Sequence, residues 1–337
     1  MNIREEVSLK RYNTFGIDVK TKFFTEVSAV DDVREICSDK QFGKTRKLIL
    51  GGGSNILFTK DFDGLVIKNN FKGIAVDKEN TEHVYIKAGA GENWHNFVLH
   101  CISQNYAGIE NLSLIPGNIG AGPMQNIGAY GVELKDVFHE LEAYEISSGD
   151  IRKFNADDCR FGYRESVFKN IHKDKFIIIS VTLRLHKKPE YNTTYGAIEQ
   201  ELEKMGVKEL NIAAISQAVC NIRRSKLPDP AEIGNAGSFF KNPVVSNELF
   251  QTIKNEFPSV VGYPSGKEMK LAAGWLIEQC GWKGYRKDDY GVHKNQALVL
   301  VNYGNAKGDD IYNLSQDVMD AVNKKFGVVL EREVNIV

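Results

Sequence analysis

The sequence predicts an α+β protein of more than one domain, and three observations carry that reading. The chain has 337 residues, more than a single hydrophobic core ordinarily serves, so two or three domains are expected. Short apolar runs of strand length alternate with stretches whose apolar residues recur at helical spacing. Clusters of glycine, proline and asparagine punctuate the boundaries. Hydrophobic residues make up 42% and charged residues 26%, a globular balance. The net charge of −1 gives the chain no general attraction for nucleic acid or an anionic membrane, so an anionic ligand would need a local positive site.

Taken in order, Phe23 to Val27 reads as extended, and Ser28 with Asp31 is a capping signal for a helix whose face is Val30, Val33, Ile36 and Cys37. Leu48 to Leu50 is a buried strand broken by Gly51-Gly52-Gly53, and Leu65 to Ile67 is another. A second unit begins near Phe71. It holds a strand at Val84 to Ala88, then a helix marked by Trp94, Phe97, Val98, Cys101 and Ile102. A Gly- and Asn-rich loop runs from Asn111 to Gly131. Leu141 to Ile146 and Ile151 to Phe154 flank Ser-Ser-Gly-Asp, a hairpin signal, and Phe176 to Leu185 is a long β-rich stretch. The third unit begins near Lys226-Leu-Pro-Asp-Pro, whose prolines end a helix arriving from Ser216 to Arg224. Ile311, Leu314, Val318, Ala321 and Val322 form a last helical stripe stopped by Gly327, and Val328 to Ile336 reads as extended.

The five cysteines are scattered without a Cys-x-x-Cys, the pattern of reduced thiols in the cytoplasm. The Met-Asn-Ile-Arg-Glu-Glu start lacks the apolar core of a signal peptide, and no apolar run has membrane-spanning length. The seven histidines are dispersed, so no metal is expected.

Two glycine-rich loops stand out, Gly51-Gly-Gly-Ser-Asn55 directly after a strand and Ile115-Pro-Gly-Asn-Ile-Gly-Ala-Gly-Pro123. Glycine lets backbone N–H groups converge on an anion, so such loops can cradle a pyrophosphate; each could also be a tight turn. Neither Gly51-x-Gly53 nor Gly89-x-Gly91 completes the Rossmann pattern. Gly262 to Lys267 is too short for a P-loop, and no Gly-x-Ser-x-Gly elbow occurs. A dinucleotide, if bound, is bound in a different fold. Arg164 lies among aromatics in Phe161-Gly-Tyr-Arg-Glu-Ser166, and Ser238 in a Gly-started, Pro-stopped segment. An ion pair with Glu165 and a turn hydroxyl are their plainer readings.

Together these stretches resemble the UDP-N-acetylenolpyruvoylglucosamine reductase family over nearly the whole chain. The matching runs are Asn13-Thr-Phe-Gly16, Leu50 to Asn55, Ile115 to Gly131, Cys159 to Ser166, Gly234 to Pro243, Ala272 to Ile277 and Val292 to Val299. The resemblance implies an FAD-binding fold of the vanillyl-alcohol-oxidase type in two α/β subdomains, plus an α+β domain for a UDP-sugar. The expected boundaries are 1–70, then 71–225 completed by 326–337, then 226–325. It implies non-covalent FAD, NADPH as co-substrate, UDP-N-acetylglucosamine enolpyruvate as substrate, and a cytoplasmic monomer. The family's catalytic Arg falls on Arg164, its proton-donating Ser on Ser238 and its catalytic Glu on Glu333. Glu331 is the rival by count, but Glu-Val before the terminal strand favours Glu333. FAD contacts fall on Gly51, Gly52, Gly53, Ser54, Asn55, Pro116, Gly117, Gly120, Ala121, Gln125, Asn126, Gly128 and Ala129. Substrate contacts fall on Tyr163, Tyr195, Lys226, Asn242 and Gln296, with Thr194-Tyr195-Gly196 matching the larger type's mobile Tyr loop. Gly122 and Met124 depart from the usual Ala and Val, and Asn335 stands where a related type has Arg.

The chemistry fits those residue types. Hydride addition to an enol ether bearing a carboxylate pushes charge into the carboxylate, which needs a fixed cation such as Arg164. The neighbouring carbon then needs a proton, which Ser238 can give to a strongly basic intermediate, with Glu333 supporting the enol. An FAD-linked oxidase and a non-enzymatic flavin or UDP-sugar binder are the alternatives.

Overall fold

The computed structural model describes residues 2–195 and 197–337, so Gly196 of the Thr-Tyr-Gly run lies outside the described residues. The chain divides into two compact units. The first comprises the N-terminal residues up to Val7, with Thr21–Gly52 and Asp63–Arg224. The second comprises Ser8–Lys20, Gly53–Phe62 and Ser225–Val337.

Among the described residues the first unit holds two larger sheets. One has the order Arg4–Ser8, Lys20–Val27, Phe62–Asn69, Lys47–Leu50, its last pair parallel. The other is antiparallel and five-stranded, in the order Ile151–Asn155, Phe138–Glu145, Phe176–His186, His83–Gly89, Ile74–Glu79. The helix Trp94–Ser103 forms where its stripe predicts: Trp94, Phe97, Val98 and Cys101 are all buried, and the Asn93 side chain caps it by accepting from Asn96 N–H. Trp94 Nε1 donates to the Leu112 carbonyl at 2.9 Å, which satisfies the indole inside the core. The helix Val30–Ser38 starts one residue later than its capping signal suggests. Asp32, not Asp31, accepts from the Ser28 and Ala29 N–H groups, because only Asp32 sits a full turn above both.

Between these elements lies a short hairpin, Gly128–Ala129 against Val132–Glu133. Tyr130 (φ 51°) and Gly131 (φ 81°) at its tip are both left-handed, as a two-residue hairpin turn demands.

The second unit is built on an antiparallel sheet in the order Gly234–Asn235, Leu300–Asn302, Tyr290–Val292, Arg286–Lys287. A three-stranded sheet orders Val244–Val245, Glu268–Leu271 and Gly262–Ser265. Its long helix Gly308–Phe326 ends on Gly327 at φ 65°, as predicted.

The second unit's main segment begins one residue from the boundary expected after residue 225, but two short stretches expected in the first subdomain join it instead. Ser8–Lys20 is held by Thr14 Oγ1 donating to the Asn235 carbonyl (2.6 Å) and Asn302 Nδ2 donating to the Phe15 carbonyl (2.8 Å). Gly53–Phe62 is held by Asn335–Ile336, which pairs in parallel with Ile56–Leu57. The segment 326–337 therefore lies with the second unit, not with the subdomain ending at 225. It is also less regular than its β-rich sequence suggests, with one two-residue strand and an isolated bridge between Phe240 and Arg332.

Candidate active site

In the first unit the two glycine loops touch. A Cβ on Gly52 would stand 2.7 Å from Gly117 Cα and 2.9 Å from Asn118 Oδ1, so only glycine permits the approach. Lys68, which sequence patterning missed, donates from Nζ to the Gly51 carbonyl; burial lowers its pKa. Because the Gly51–Gly52 peptide is trans, the Gly52 N–H points away from that lysine. Among the described residues, no acceptor meets the N–H groups of Gly51, Gly52 or Gly117. Close backbones with open N–H groups suit a pyrophosphate, so these residues fit a dinucleotide. Gly120 packs against Ala90, and Pro116 and Ala121 are exposed on the same loop. Gly53, Ser54 and Asn55 continue the first loop in the second unit, where Asn55 Nδ2 donates to the Glu333 carbonyl at 3.3 Å.

The contact at Gly52 gives a first prediction. Gly52→Val must push the loops apart, at about 1–3 kcal/mol for overpacking, and weaken FAD binding roughly ten-fold or more. The ratio of flavin to protein absorbance after purification checks this; full flavin occupancy in the variant would remove the loops from the cofactor site.

The hairpin at 128–133 is the frame for Arg164. Its Nη2 donates to the Gly128 carbonyl at 2.8 Å, and the guanidinium lies 5.4 Å from the Tyr163 ring centroid. Arg164 itself is left-handed (φ 56°), a conformation that a non-glycine residue keeps only when its surroundings impose it. Asn126 is fully buried. Its Nδ2 donates to Glu133 Oε2 and the Gly162 carbonyl, both at 3.0 Å, and its Oδ1 accepts from Lys135 N–H. The Asn126 side chain thus braces the Arg164 turn, leaving its backbone for any flavin contact. Gln125 and Ala129 are half-buried beside it. Arg223 lies near the Tyr130 phenol and donates from Nε to the Leu114 carbonyl. Desolvation lowers the Arg223 pKa, Tyr130 opposes that, and Arg164 is close enough to add to it. Arg223 and Tyr130 were not singled out from sequence. The Tyr195 ring meets Tyr130 edge-on.

In the second unit Ser238 is half-buried, and both sides of it are tied down. Asn235 Oδ1 accepts from Gly237 N–H (2.9 Å), and Phe239 N–H donates to the Leu298 carbonyl (2.7 Å). Phe239 and Phe240, both fully buried, anchor the segment. Among the described residues nothing hydrogen-bonds the Ser238 hydroxyl, so its proton is available to a ligand. The backbone N–H of Glu333 donates to the neighbouring Phe239 carbonyl at 2.8 Å. Lys241 Nζ lies 2.5 Å from Oε1 of the rival Glu331. Asn242 Oδ1 accepts from Ala273 N–H at the start of helix Ala273–Gln279, and Gln296 Oε1 lies beside Gly274 in that helix. Lys226 ends the helix Ile212–Lys226, exposed. A separate cleft of about 310 Å³ lined by Lys10, Lys60, Lys307 and Asp309 contains none of the predicted site residues.

The thiols are bystanders. All five cysteines are free, and burial pushes Cys101 and Cys159 up to about 12, far from any nucleophilic role. Among the described residues no cluster of His, Cys, Asp and Glu could hold a metal ion, and no helix is long and apolar enough to cross a membrane.

Comparison with known proteins bears on the same residues. A domain family described as FAD binding domain matches 21–155, the stretch that carries both glycine loops, and the chain is an FAD-dependent oxidoreductase. The family described as UDP-N-acetylenolpyruvoylglucosamine reductase, C-terminal domain, matches 229–337. Curated proteins of that reductase name from Amoebophilus asiaticus and Flavobacterium johnsoniae are each 50% identical, with 100% of both chains covered. One from Pseudomonas putida is 49% identical over 99% of this chain and 98% of its own. A Thermus caldophilus crystal structure titled UDP-N-acetylenolpyruvylglucosamine reductase (MurB) shares the fold at TM-score 0.70, with 22% identity and 99% of each chain covered. The chain belongs to the UDP-N-acetylenolpyruvoylglucosamine reductase family.

Proposed function

We propose that Arg164, Ser238 and Glu333 carry the reaction of this family. That reaction is the NADPH-dependent, FAD-mediated reduction of UDP-N-acetylglucosamine enolpyruvate to UDP-N-acetylmuramate, a step of peptidoglycan synthesis. Bound FAD supplies a hydride carrier between NADPH and the enol ether. In this reading Arg164, braced on the 128–133 hairpin, binds the substrate carboxylate where charge develops. The Ser238 hydroxyl gives the proton to the carbon bearing that carboxylate, and Glu333 stabilises the enol that precedes it. Tyr163, Lys226, Asn242 and Gln296 hold the sugar and diphosphate, and Tyr195 closes over them. The observation that carries the reading is the Ser238 hydroxyl, unengaged among the described residues, on a backbone fixed at both ends and next to the Phe239 carbonyl that accepts from Glu333 N–H.

The test follows the two halves separately. NADPH should bleach the bound flavin without the sugar nucleotide, and anaerobic addition of the enolpyruvyl sugar nucleotide should restore the colour within the enzyme's turnover time. Colour that returns only when air is admitted would make the chain an oxidase; a flavin that NADPH does not bleach would make it a binding protein. The proposal extends to a monomer working in the cytoplasm. A dimeric mass by light scattering would correct the first part.

A further inference from the structure

Between the strand Phe176–His186 and the helix Ala197–Lys204, residues 187–195 form a strap without helix or strand. Its start is held by Lys187, whose N–H donates to the Glu82 carbonyl and whose ammonium pairs with Glu79. Tyr195 stands near its far end, 49% exposed. Midway, one side chain ties the strap to the 128–133 hairpin. Asn111, 2% exposed, donates from Nδ2 to the Tyr130 carbonyl at 2.9 Å and to the Asn192 carbonyl at 2.8 Å. Asn192 returns the contact, its Nδ2 donating to the Gly131 carbonyl at 3.2 Å while its Oδ1 accepts from Thr194. Both partners of Asn111 are carbonyl oxygens, so only the NH₂ end of an amide can face them, and a carboxylate of the same shape cannot.

The hairpin so clasped also carries the Arg164 contact at Gly128 and Tyr130, whose phenol lies near Arg223 and against whose ring Tyr195 rests at 5.5 Å between centroids. The three residues from Asn192 to Tyr195 can span at most about 10 Å. A clasp at Asn192 therefore confines the phenol to the neighbourhood of those two cations, where an anionic ligand would lie.

We propose that Asn111 is a positioning residue for the reduction: by fixing Asn192 to the hairpin it delivers Tyr195 to the sugar nucleotide. The proposal rests on the reading that Tyr195 touches that substrate.

Asn111→Asp removes both donors and sets a carboxylate against two carbonyls. The KM for the sugar nucleotide should rise about ten-fold or more, as expected for two lost hydrogen bonds. The rate of flavin bleaching at saturating NADPH, and the flavin content, should stay within about two-fold, which a general loss of structure would not allow. Asn192→Ala, at the surface end of the clasp, should raise the same KM about three-fold, and decides alone should Asn111→Asp not fold. In a Tyr195→Phe background Asn111→Asp should add nothing further, since both act through one contact. An unchanged sugar KM in Tyr195→Phe alone would overturn the reading of Tyr195. A raised KM there, with an unchanged one in the clasp variants or with fully additive effects in the double variant, would overturn the clasp. Parallel loss of both half-reactions would also overturn it, making Asn111 a part of the fold only.

Discussion

Ser238→Ala should leave NADPH-driven bleaching of the flavin intact and slow its reoxidation by the sugar nucleotide by roughly 10²–10⁴, the usual worth of a positioned acid. The first half needs no proton at the substrate carbon, and the second cannot finish without one. The substitution should not disturb the local backbone. The bonds that fix the segment run through Asn235, Gly237 and Phe239, and the Ser238 side chain takes part in none of them. Ser238→Cys should keep more activity than the alanine variant, because a thiol can also donate. Stopped-flow absorbance separates the halves. Equal slowing of both would move the residue's role to flavin binding; near-normal reoxidation in the alanine variant would pass the donor role to a water held by Glu333.

What the sequence made legible was local. The stripe of Trp94, Phe97, Val98, Cys101 and Ile102 became a helix with the first four buried and Ile102 half-buried, because helical spacing is itself the packing rule. Ser-Ser-Gly-Asp became a hairpin between Phe138–Glu145 and Ile151–Asn155, with Gly149 left-handed at φ 82°. The pairing of the chain's start and end with distant segments was not legible. Asn13 bonds the carbonyls of Leu9 and Ile17 to form a small knot of its own, and nothing nearby in sequence says that the knot rests on Asn235 and Asn302. Among site residues, glycines and motif polar groups announce themselves by composition. Asn111, Lys68 and Arg223 do not. Their importance comes from partners far along the chain, the carbonyls of Tyr130 and Asn192, the carbonyl of Gly51, and the phenol of Tyr130. A cation that meets a distant carbonyl or phenol reads in sequence like any surface lysine or arginine.

Arg164→Gln should cost roughly 10²–10³ in the reoxidation half-reaction, comparable to removing a preorganised donor from a developing anion. The glutamine keeps a donor and much of the length, but loses the permanent charge and the planar fork that meets a carboxylate with two N–H groups at once. Arg164→Lys restores the charge without the fork and should recover part of the loss, which separates electrostatics from geometry. One further function of Arg164 must be kept apart, since its Nη2 also donates to the Gly128 carbonyl and so helps to shape the hairpin. A contribution of that kind would appear in flavin content and in bleaching by NADPH, where neither substitution should act by more than about two-fold if the charge faces substrate. The sugar nucleotide's KM should rise less than the reoxidation rate falls, because the carboxylate carries more charge after hydride arrives than before. A rise in KM with an unchanged reoxidation rate at saturation would show that Arg164 binds substrate and transition state alike, and catalysis would then rest on Ser238 and Glu333 without it.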